Sequence, residues 1–463
     1  MRREDRTSRL VAGLGLAALC ALVVAAPAAW GQEADFGEKK ISIEQVPAAA
    51  KAAILKAVGD GRIVDIGEIR ENGKVVRYDV ECVKGGREVD IIVAPDGRLL
   101  TERDEGGAKD MPAAVQVVKG KLTPQAEATV RKNWPKATVR EIGVEGAGGI
   151  TLHKVELSDG GTEMEAEIAP DGTLVSTQMD VAEKDLPPEV RAAVRKVVAD
   201  GKVGKIEKEV VTATVEKGRV VPLLSAHVIY EVKFSRGEAR HEVQLSPDGS
   251  PARKPGPWRS TFAVDRKNLA SVGRNPYFIL VPGRRIHLSG GGETVIISVL
   301  DQTKMVDGVE TRVVEEREFK GKRLAEVSRN YFAIDKTTRD VYYFGEDVDV
   351  YDGSGKVVNH GGAWLAGVKG ARFGLIMPGA PVIGDRYYQE VAPGTAMDRA
   401  ENVTLKATLK TPMRTFEKCF YVRESSDLER GFSHKWYAAG IGMIGDDELR
   451  LVKVEEPPGP RKK

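Results

Sequence analysis

Cysteine is scarce in this 463-residue chain, which has 3. Beyond the N-terminal segment only Cys82 and Cys419 remain, so a disulfide-dense scaffold and a zinc site of paired cysteines are excluded. Isolated cysteines within strand-like residues, as around Cys82, are typical of small buried hydrophobic side chains. The alternative is a disulfide between Cys82 and Cys419, which an oxidising compartment would permit.

A surplus of charge of one sign is also missing, because 70 Lys and Arg stand against 68 Asp and Glu. The excess lies in the first nine residues, and the rest of the chain is neutral overall. Proteins that neutralise several phosphates carry a basic patch, and the basic cluster found here is the short tail at residues 461–463. The composition therefore predicts no nucleic-acid partner.

Long hydrophobic runs are absent except near the N-terminus, where residues 10–29 carry no charge. Arginines precede this run and small residues follow it, which is typical of a secretory signal peptide over residues 1–31 with cleavage after Gly31. The alternative is an uncleaved anchor, because twenty uncharged residues could just span a bilayer. We expect an exported chain, periplasmic or extracellular, with no membrane span once the signal is removed.

Catalytic and metal-binding motifs are missing or incomplete. The dinucleotide-like spacing of Gly440, Gly442 and Gly445 is followed by acids and a strand-like alternation, where phosphate binding needs a helix. His241 lacks the second histidine of a zinc-protease motif. Residues 346–352 lack the distal glutamate of a calcium loop, and their alternation of acids with Val and Tyr indicates an exposed strand face. His434 follows Ser433, but no nucleophile elbow exists. We therefore predict no enzyme activity, no catalytic or metal residue and no cofactor.

What the chain does contain is a repeat in its N-terminal half. Three strand-like segments end in Pro-Asp-Gly turns, at Pro95, Pro170 and Pro247. Proline presets one turn position and glycine tolerates the exit from the turn. Upstream of each turn an apolar-polar alternation predicts a strand, and an acidic residue recurs at Asp90, Glu165 and Glu242, as expected of a solvated strand face.

Each repeat opens with a helical pattern after Pro47, Pro124 or Pro187, and seventeen residues before the turn prolines stand Tyr78, His153 and Tyr230. The third repeat is longer, which indicates an insertion within residues 211–225. The Val-Pro helix start, Tyr-Glu-Val strand and Pro-Asp-Gly exit resemble the PepSY-like family, described as similar to β-lactamase inhibitor protein. This resemblance covers residues 41–252 and implies an extracytoplasmic binding or inhibitory module without catalytic residues.

The C-terminal half differs, with closely spaced hairpin turns between β-type runs and most of the aromatic residues. It resembles a domain of uncharacterised secreted bacterial proteins and indicates an antiparallel β meander or partial barrel. We predict an α+β fold of three tandem helix-plus-antiparallel-sheet modules followed by this β domain. The expected ranges are a signal peptide at 1–31, modules at 32–106, 107–183 and 184–252, a linker at 253–274, the β domain at 275–456 and a basic tail at 457–463.

The functional expectation is an exported, non-catalytic protein whose PepSY-like modules bind or inhibit an envelope or secreted protein, such as a peptidase or cell-wall enzyme. Turn residues such as Asp96 and Asp248 are the expected contact points. The alternative is a carrier of a lipid or other apolar ligand in the β domain, where Tyr342, Tyr343, Tyr387 and Tyr388 could line a cavity. A hydrolase with an unrecognised site is a third hypothesis.

Overall fold

A computed structural model describes residues 36–59, 61–71, 74–84, 87–104, 121–237 and 239–457. The expected signal peptide, its cleavage site after Gly31 and the basic residues of the tail lie outside these ranges. The described residues form two compact units. The N-terminal unit contains residues 36–257 and 382–385, and the C-terminal unit contains residues 258–381 and 386–457.

The N-terminal unit has three helices and two antiparallel sheets in its described part. The helices are α1 (Ala48–Val58), α2 (Pro124–Asn133) and α3 (Pro188–Val198). The five-stranded sheet contains β1 (Phe36–Lys40), β2 (Arg62–Glu71), β3 (Lys74–Lys84), β4 (Arg87–Val93) and β5 (Leu99–Asp104), in that order. The seven-stranded sheet contains β6 (Thr138–Ala147), β7 (Ile150–Asp159), β8 (Thr162–Ile168), β9 (Leu174–Asp180), β10 (Lys202–Glu216), β11 (Arg219–Arg236) and β12 (Ala239–Leu245), again in sequence order.

Each helix begins at or directly after a proline, namely Pro47, Pro124 or Pro188, and its apolar stripe packs on the sheet that follows it. Ile54 of α1, Val130 of α2 and Val194 of α3 are buried in three separate cores. Thr123 caps α2, because its hydroxyl accepts a hydrogen bond from the Ala126 amide at 3.1 Å. None of the helices in the described residues is long and apolar enough to cross a bilayer.

The Pro-Asp-Gly turns pack against these helices. Gly97, Gly172 and Gly249 have φ values of 87°, 88° and 78°. A Cβ on each would lie 2.5–2.8 Å from the carbonyl oxygen of the second residue of its helix, namely Ala49, Gln125 and Glu189. Glycine is therefore required twice, for its left-handed backbone and for the close approach of turn to helix.

Equivalent positions of the repeat also pair equivalently. Tyr78 pairs with Val93, His153 with Ile168 and Tyr230 with Leu245. His153 is 7% exposed, and neither ring nitrogen has a hydrogen-bond partner within the described ranges. Burial lowers the pKa of His153, so the neutral ring occupies a core position that tyrosine fills in the other two repeats.

The predicted fold class, α+β with three tandem helix-plus-antiparallel-sheet modules before the β domain, is wrong. The structure is 58% strand and 11% helix, and is therefore mostly β. Strands β9 and β10 pair antiparallel from Glu207–Asp180 to Val211–Ser176, which joins the second and third predicted modules in one sheet. In an isolated four-stranded sheet of β6–β9, the outer edge of β9 would have no partner strand. Pairing with β10 satisfies the backbone hydrogen bonds of that edge. The finer module boundaries stay predictions.

The parts of β10 and β11 that extend beyond the β9–β10 pairing form a long hairpin. The far ends of β10 and β11 pair Ala213 with Pro222, and Gly218 donates a hydrogen bond to the Gly148 carbonyl at 2.9 Å. Val215 and Val220 pack there with Leu152 and Ala169. The segment where the sequence indicates an insertion thus packs on the β6–β7 hairpin.

The C-terminal unit is built on a 16-stranded sheet and one short two-stranded ribbon. Its strands are β13 (Leu269–Ala270), β14 (Gly273–Arg274), β15 (Ile279–Leu280), β16 (Arg285–Gly290), β17 (Glu293–Val306), β18 (Val309–Lys320), β19 (Arg323–Asp335), β20 (Val341–Tyr351), β21 (Val357–Asn359), β22 (Trp364–Leu365), β23 (Arg372–Met377), β24 (Arg386–Tyr388), β25 (Glu390–Val391), β26 (Asp398–Lys410), β27 (Thr415–Ser426), β28 (Ser433–Ala438), β29 (Gly442–Asp446) and β30 (Leu449–Glu455).

The large sheet is nearly closed. Its main path runs β24-β26-β27-β28-β29-β30-β16-β17-β18-β19-β20-β23-β25, and a single residue, Gln389, separates the two end strands β24 and β25 along the chain. Stacked aromatic rings fill one part of the interior, with ring centroids of Phe332 and Tyr343 4.8 Å apart. Residues 258–274, expected to be part of a linker, contact this unit, since Phe262 and Leu269 pack on its core.

We predict that Gly172→Ala destabilises the N-terminal unit more than Gly161→Ala. Both glycines have φ near 85°, but a Cβ at Gly161 meets nothing within 4 Å, whereas one at Gly172 meets the Gln125 carbonyl at 2.8 Å. The expected losses in unfolding free energy are about 3 and about 1 kcal/mol, measured by urea unfolding. Equal losses would show that turn-to-helix packing contributes nothing.

Candidate functional site

The seven-stranded sheet has one face covered by α2 and α3 and a second, here called the open face, on which no described helix packs. Strand alternation places most of the acidic residues of β6–β12 on the open face. Its acidic side chains are Glu141, Glu145, Glu156, Glu163, Glu165, Glu167, Asp180, Glu207, Glu209, Glu231 and Glu242, and the cationic side chains that contact them are Arg140, Lys154, Lys205, Lys233 and Lys254.

One row of the open face is acidic across five strands. Register pairs Glu141 with Glu156, Glu156 with Glu165, Glu165 with Gln178 and Gln178 with Glu209. Like charges directly opposite one another on a sheet repel. Four of the five residues in this row are acidic, and Gln178 is the one amide among them.

Lysines bridge the acidic rows and hold them in place. The Lys254 ammonium lies 2.6 Å from Glu209 and 3.4 Å from Glu167. Lys233 lies 2.9 Å from Glu207 and 2.6 Å from Glu231. Burial alone would raise the pKa of Glu207, but hydrogen bonds from Lys205 and Lys233 lower it below its usual value. Acids still outnumber the lysines, so the open face carries net negative charge.

The turn aspartates expected to contact a partner are held within their own turns. The Asp96 carboxylate accepts a hydrogen bond from the Arg98 amide at 3.0 Å, and Asp248 accepts one from the Ser250 amide at 2.8 Å. Asp171 does the same with Thr173 at 2.8 Å. These bonds give the aspartates a structural role in shaping the turn.

The remaining sequence candidates do not converge on one site. Gly440 and Gly442 lie at the β28–β29 hairpin, and His241 stacks on Phe234 with centroids 5.0 Å apart. Cys82 and Cys419 are 1% and 0% exposed in the cores of their respective units, and the disulfide between them stays a prediction. Within the described ranges, no three His, Cys, Asp or Glu side chains are grouped as metal ligands would be.

Sequence reasoning missed a second charged region, inside the nearly closed sheet of the C-terminal unit. We call it the carboxyl interior, and its acids are Glu316, Glu318, Glu326, Glu346, Glu390, Asp398, Glu424 and Asp446. Glu346 belongs to the run expected to form an exposed strand face, yet it is 7% exposed and pairs with buried Asn330. The sequence signal was the strand alternation, which cannot distinguish an enclosed face from a solvated one.

The carboxyl interior contains one fully buried cation. Lys435 is 0% exposed, and its ammonium lies 3.2 Å from Glu424 and 3.4 Å from Asp446. Burial would lower the pKa of Lys435, but Asp446 and Glu424 raise it well above its usual value. Lys435 therefore stays charged and neutralises part of the interior.

Burial also raises the pKa of several carboxyls of this interior. Burial raises the pKa of Glu318 to about 7, with Glu326 adding to the effect. Burial raises the pKa of Glu424 to about 7 despite Lys435, and that of Glu346 to about 8. The pKa of Glu390 is raised well above its usual range by burial and by Asp398.

Comparison with known proteins finds no matching family model and no matching curated protein. The chain is similar to solved structures from Bacteroides, each of which covers 29% of it. A BLIP-like protein from Bacteroides fragilis is 16% identical over 84% of its own chain, and a DUF2874 family protein from Bacteroides ovatus is 16% identical over 87%; both have a TM-score of 0.23. A Bacteroides eggerthii protein provisionally described as periplasmic is 15% identical over 88% of its chain, with a TM-score of 0.24. Similarity at this level does not assign the chain to a family.

We predict that the C-terminal unit loses stability as the pH rises from about 5 to about 8. The unfolded carboxyls titrate near 4.5 and the folded ones near 7–8, so folding stabilises the protonated form, and that contribution is full below 4.5 and lost through the folded pKa. Urea unfolding followed by tryptophan fluorescence measures the slope, and Glu318→Gln should reduce it. A midpoint that rises with pH across this window would contradict the prediction.

Proposed function

We propose that this protein is exported and acts without catalysis, by binding a basic surface of another envelope or secreted protein on the open face. The observation that carries the proposal is the acidic row from Glu141 to Glu209, which crosses five strands under no described helix. The N-terminal signal pattern supports export. The PepSY-like resemblance of residues 41–252 favours a peptidase or cell-wall enzyme as the partner.

The geometry supports binding by charge complementarity. A surface with excess carboxylates attracts a basic partner, raises the association rate and discriminates against acidic surfaces. The Lys205, Lys233 and Lys254 bridges fix the neighbouring carboxylates, so little side-chain entropy is lost when the partner binds. Binding should therefore weaken as salt concentration rises.

A site-specific cross-linking experiment tests this function. A photo-reactive amino acid in place of exposed Glu156 should capture a discrete exported partner, whereas one in place of Lys132, exposed on α2, should not. Reversing the row with Glu156→Lys and Glu165→Lys should weaken binding of the captured partner about tenfold or more, since each tenfold corresponds to about 1.4 kcal/mol. Equal capture from positions 156 and 132, or affinity unchanged by charge reversal, would contradict the proposal.

A second candidate, carriage of a ligand with an apolar part in the C-terminal unit, is favoured by one groove. Its volume is about 500 Å³, and it is lined by Val272 and Ile334, by the cationic side chains of Arg274, Lys336 and Arg339, and by one acid, Asp335. Apolar and cationic linings together suit an amphipathic anion. Native mass spectrometry of the protein recovered from the exported fraction should find such a ligand bound, and a chain that remains ligand-free after incubation with fatty acids would exclude it.

A further inference from the structure

The carboxyl interior contains a cavity that the proposed protein-binding function does not use. Its volume is about 60 Å³, and it reaches from buried Glu346 and Glu390 to the surface at Leu428 and Glu429. At 10–15 Å³ per water, this volume holds roughly four waters or a few heavy atoms of a ligand. Other carboxyls of the carboxyl interior, such as Glu316 and Glu318, do not line the cavity. The cavity therefore concerns only part of the carboxyl interior.

The cavity lining is rich in hydrogen-bond acceptors and has no cation. Its carboxyls are Glu346, Glu390, Asp398 and Glu429, and its other polar side chains are Tyr343, Gln389, Thr395 and Ser426. Glu390 accepts a hydrogen bond from the Asp398 amide at 2.8 Å, which fixes the carboxyl. Ionising these desolvated carboxyls is costly, so a cationic group that enters the cavity is held by the carboxylates that form as it binds and displaces their protons.

The chain itself contains an example of the favoured cation. Gln389 lines the cavity and donates a hydrogen bond to Glu424 at 2.6 Å, and Glu424 in turn holds the Lys435 ammonium at 3.2 Å. The same interior therefore already binds an ammonium on an aliphatic stem, adjacent to the cavity. No three described carboxyls are grouped as metal ligands, which favours an organic cation over a metal ion.

The mouth of the cavity supports the same ligand class. Leu428 lines the cavity and is 47% exposed, so it offers apolar surface to an aliphatic stem while the charged end lies among the carboxyls. We propose that this cavity binds a primary alkylammonium group, with its nitrogen at Glu346 and Glu390 and its stem against Leu428. The group would come from a free amine or from a lysine side chain of a polypeptide.

Calorimetric titration of the full chain with n-butylammonium tests the site, with butan-1-ol as the uncharged control. We expect saturable binding of the amine, none of the alcohol, and proton release on binding, because the ammonium favours the ionised carboxyls. The pKa values of the cavity carboxyls also depend on neighbouring groups, namely Glu326, Asp347, Glu424, Lys435 and Tyr343. A parallel titration with Nα-acetyl-lysine methylamide distinguishes the two sources: binding of butylammonium alone identifies a free amine, and binding of both admits a polypeptide lysine.

Matched variants make the test specific. Glu390→Gln should weaken binding about tenfold or more, because it removes one charge-assisted hydrogen bond. Glu316→Gln removes a carboxyl that is similarly buried, 4% exposed against 3% for Glu390, but does not line the cavity, and it should change affinity less than about twofold. Both are neutral isosteres whose folding is checked by urea unfolding. No saturable binding of butylammonium would show that the cavity holds water only, and equal weakening by both variants would show that the amine binds outside it. Either result would overturn the proposal, whatever the outcome for the open face.

Discussion

Desolvation of carboxyl groups is the constraint on which the C-terminal unit depends. A nearly closed sheet separates its inner face from water, so each acid placed there must keep its proton, accept a hydrogen bond or face a cation. Lys435 forms ion pairs with Glu424 and Asp446, and Ser328 donates a hydrogen bond to Glu326 at 3.0 Å. The interior is therefore organised by the compensation of charge as much as by aromatic packing.

The two units handle acidic strands in opposite ways. On the open face of the N-terminal unit, bridging lysines pair with carboxylates near the protein surface. In the carboxyl interior, burial raises the pKa of the carboxyls. The same type of side chain thus meets a different electrostatic environment in each unit, because solvent access differs.

Local features of this fold could be predicted from the sequence, whereas long-range pairings could not. The Pro-Asp-Gly turns have a local physical cause, since Gly97, Gly172 and Gly249 combine positive φ with close helix contact. The β9–β10 pairing has no such local cause, because the residue pattern of these two strands does not differ from that of strands inside a sheet. The position of Glu346 inside the sheet follows from closure at Gln389, which strand alternation alone does not encode. For that reason the sequence predicts the acids of the open face only as a solvated strand face and does not predict the carboxyl interior.

The pairing of β16 with β30 has a consequence for how the C-terminal unit folds. Ile286 pairs with Val454, so residues near the two ends of this unit are neighbours in the sheet. Contacts of such high sequence separation form slowly, and here they cannot form until β30 has been synthesised. Until then the edge of β16 that pairs with β30 has no partner strand, and an unpaired strand edge is a template for pairing with another chain.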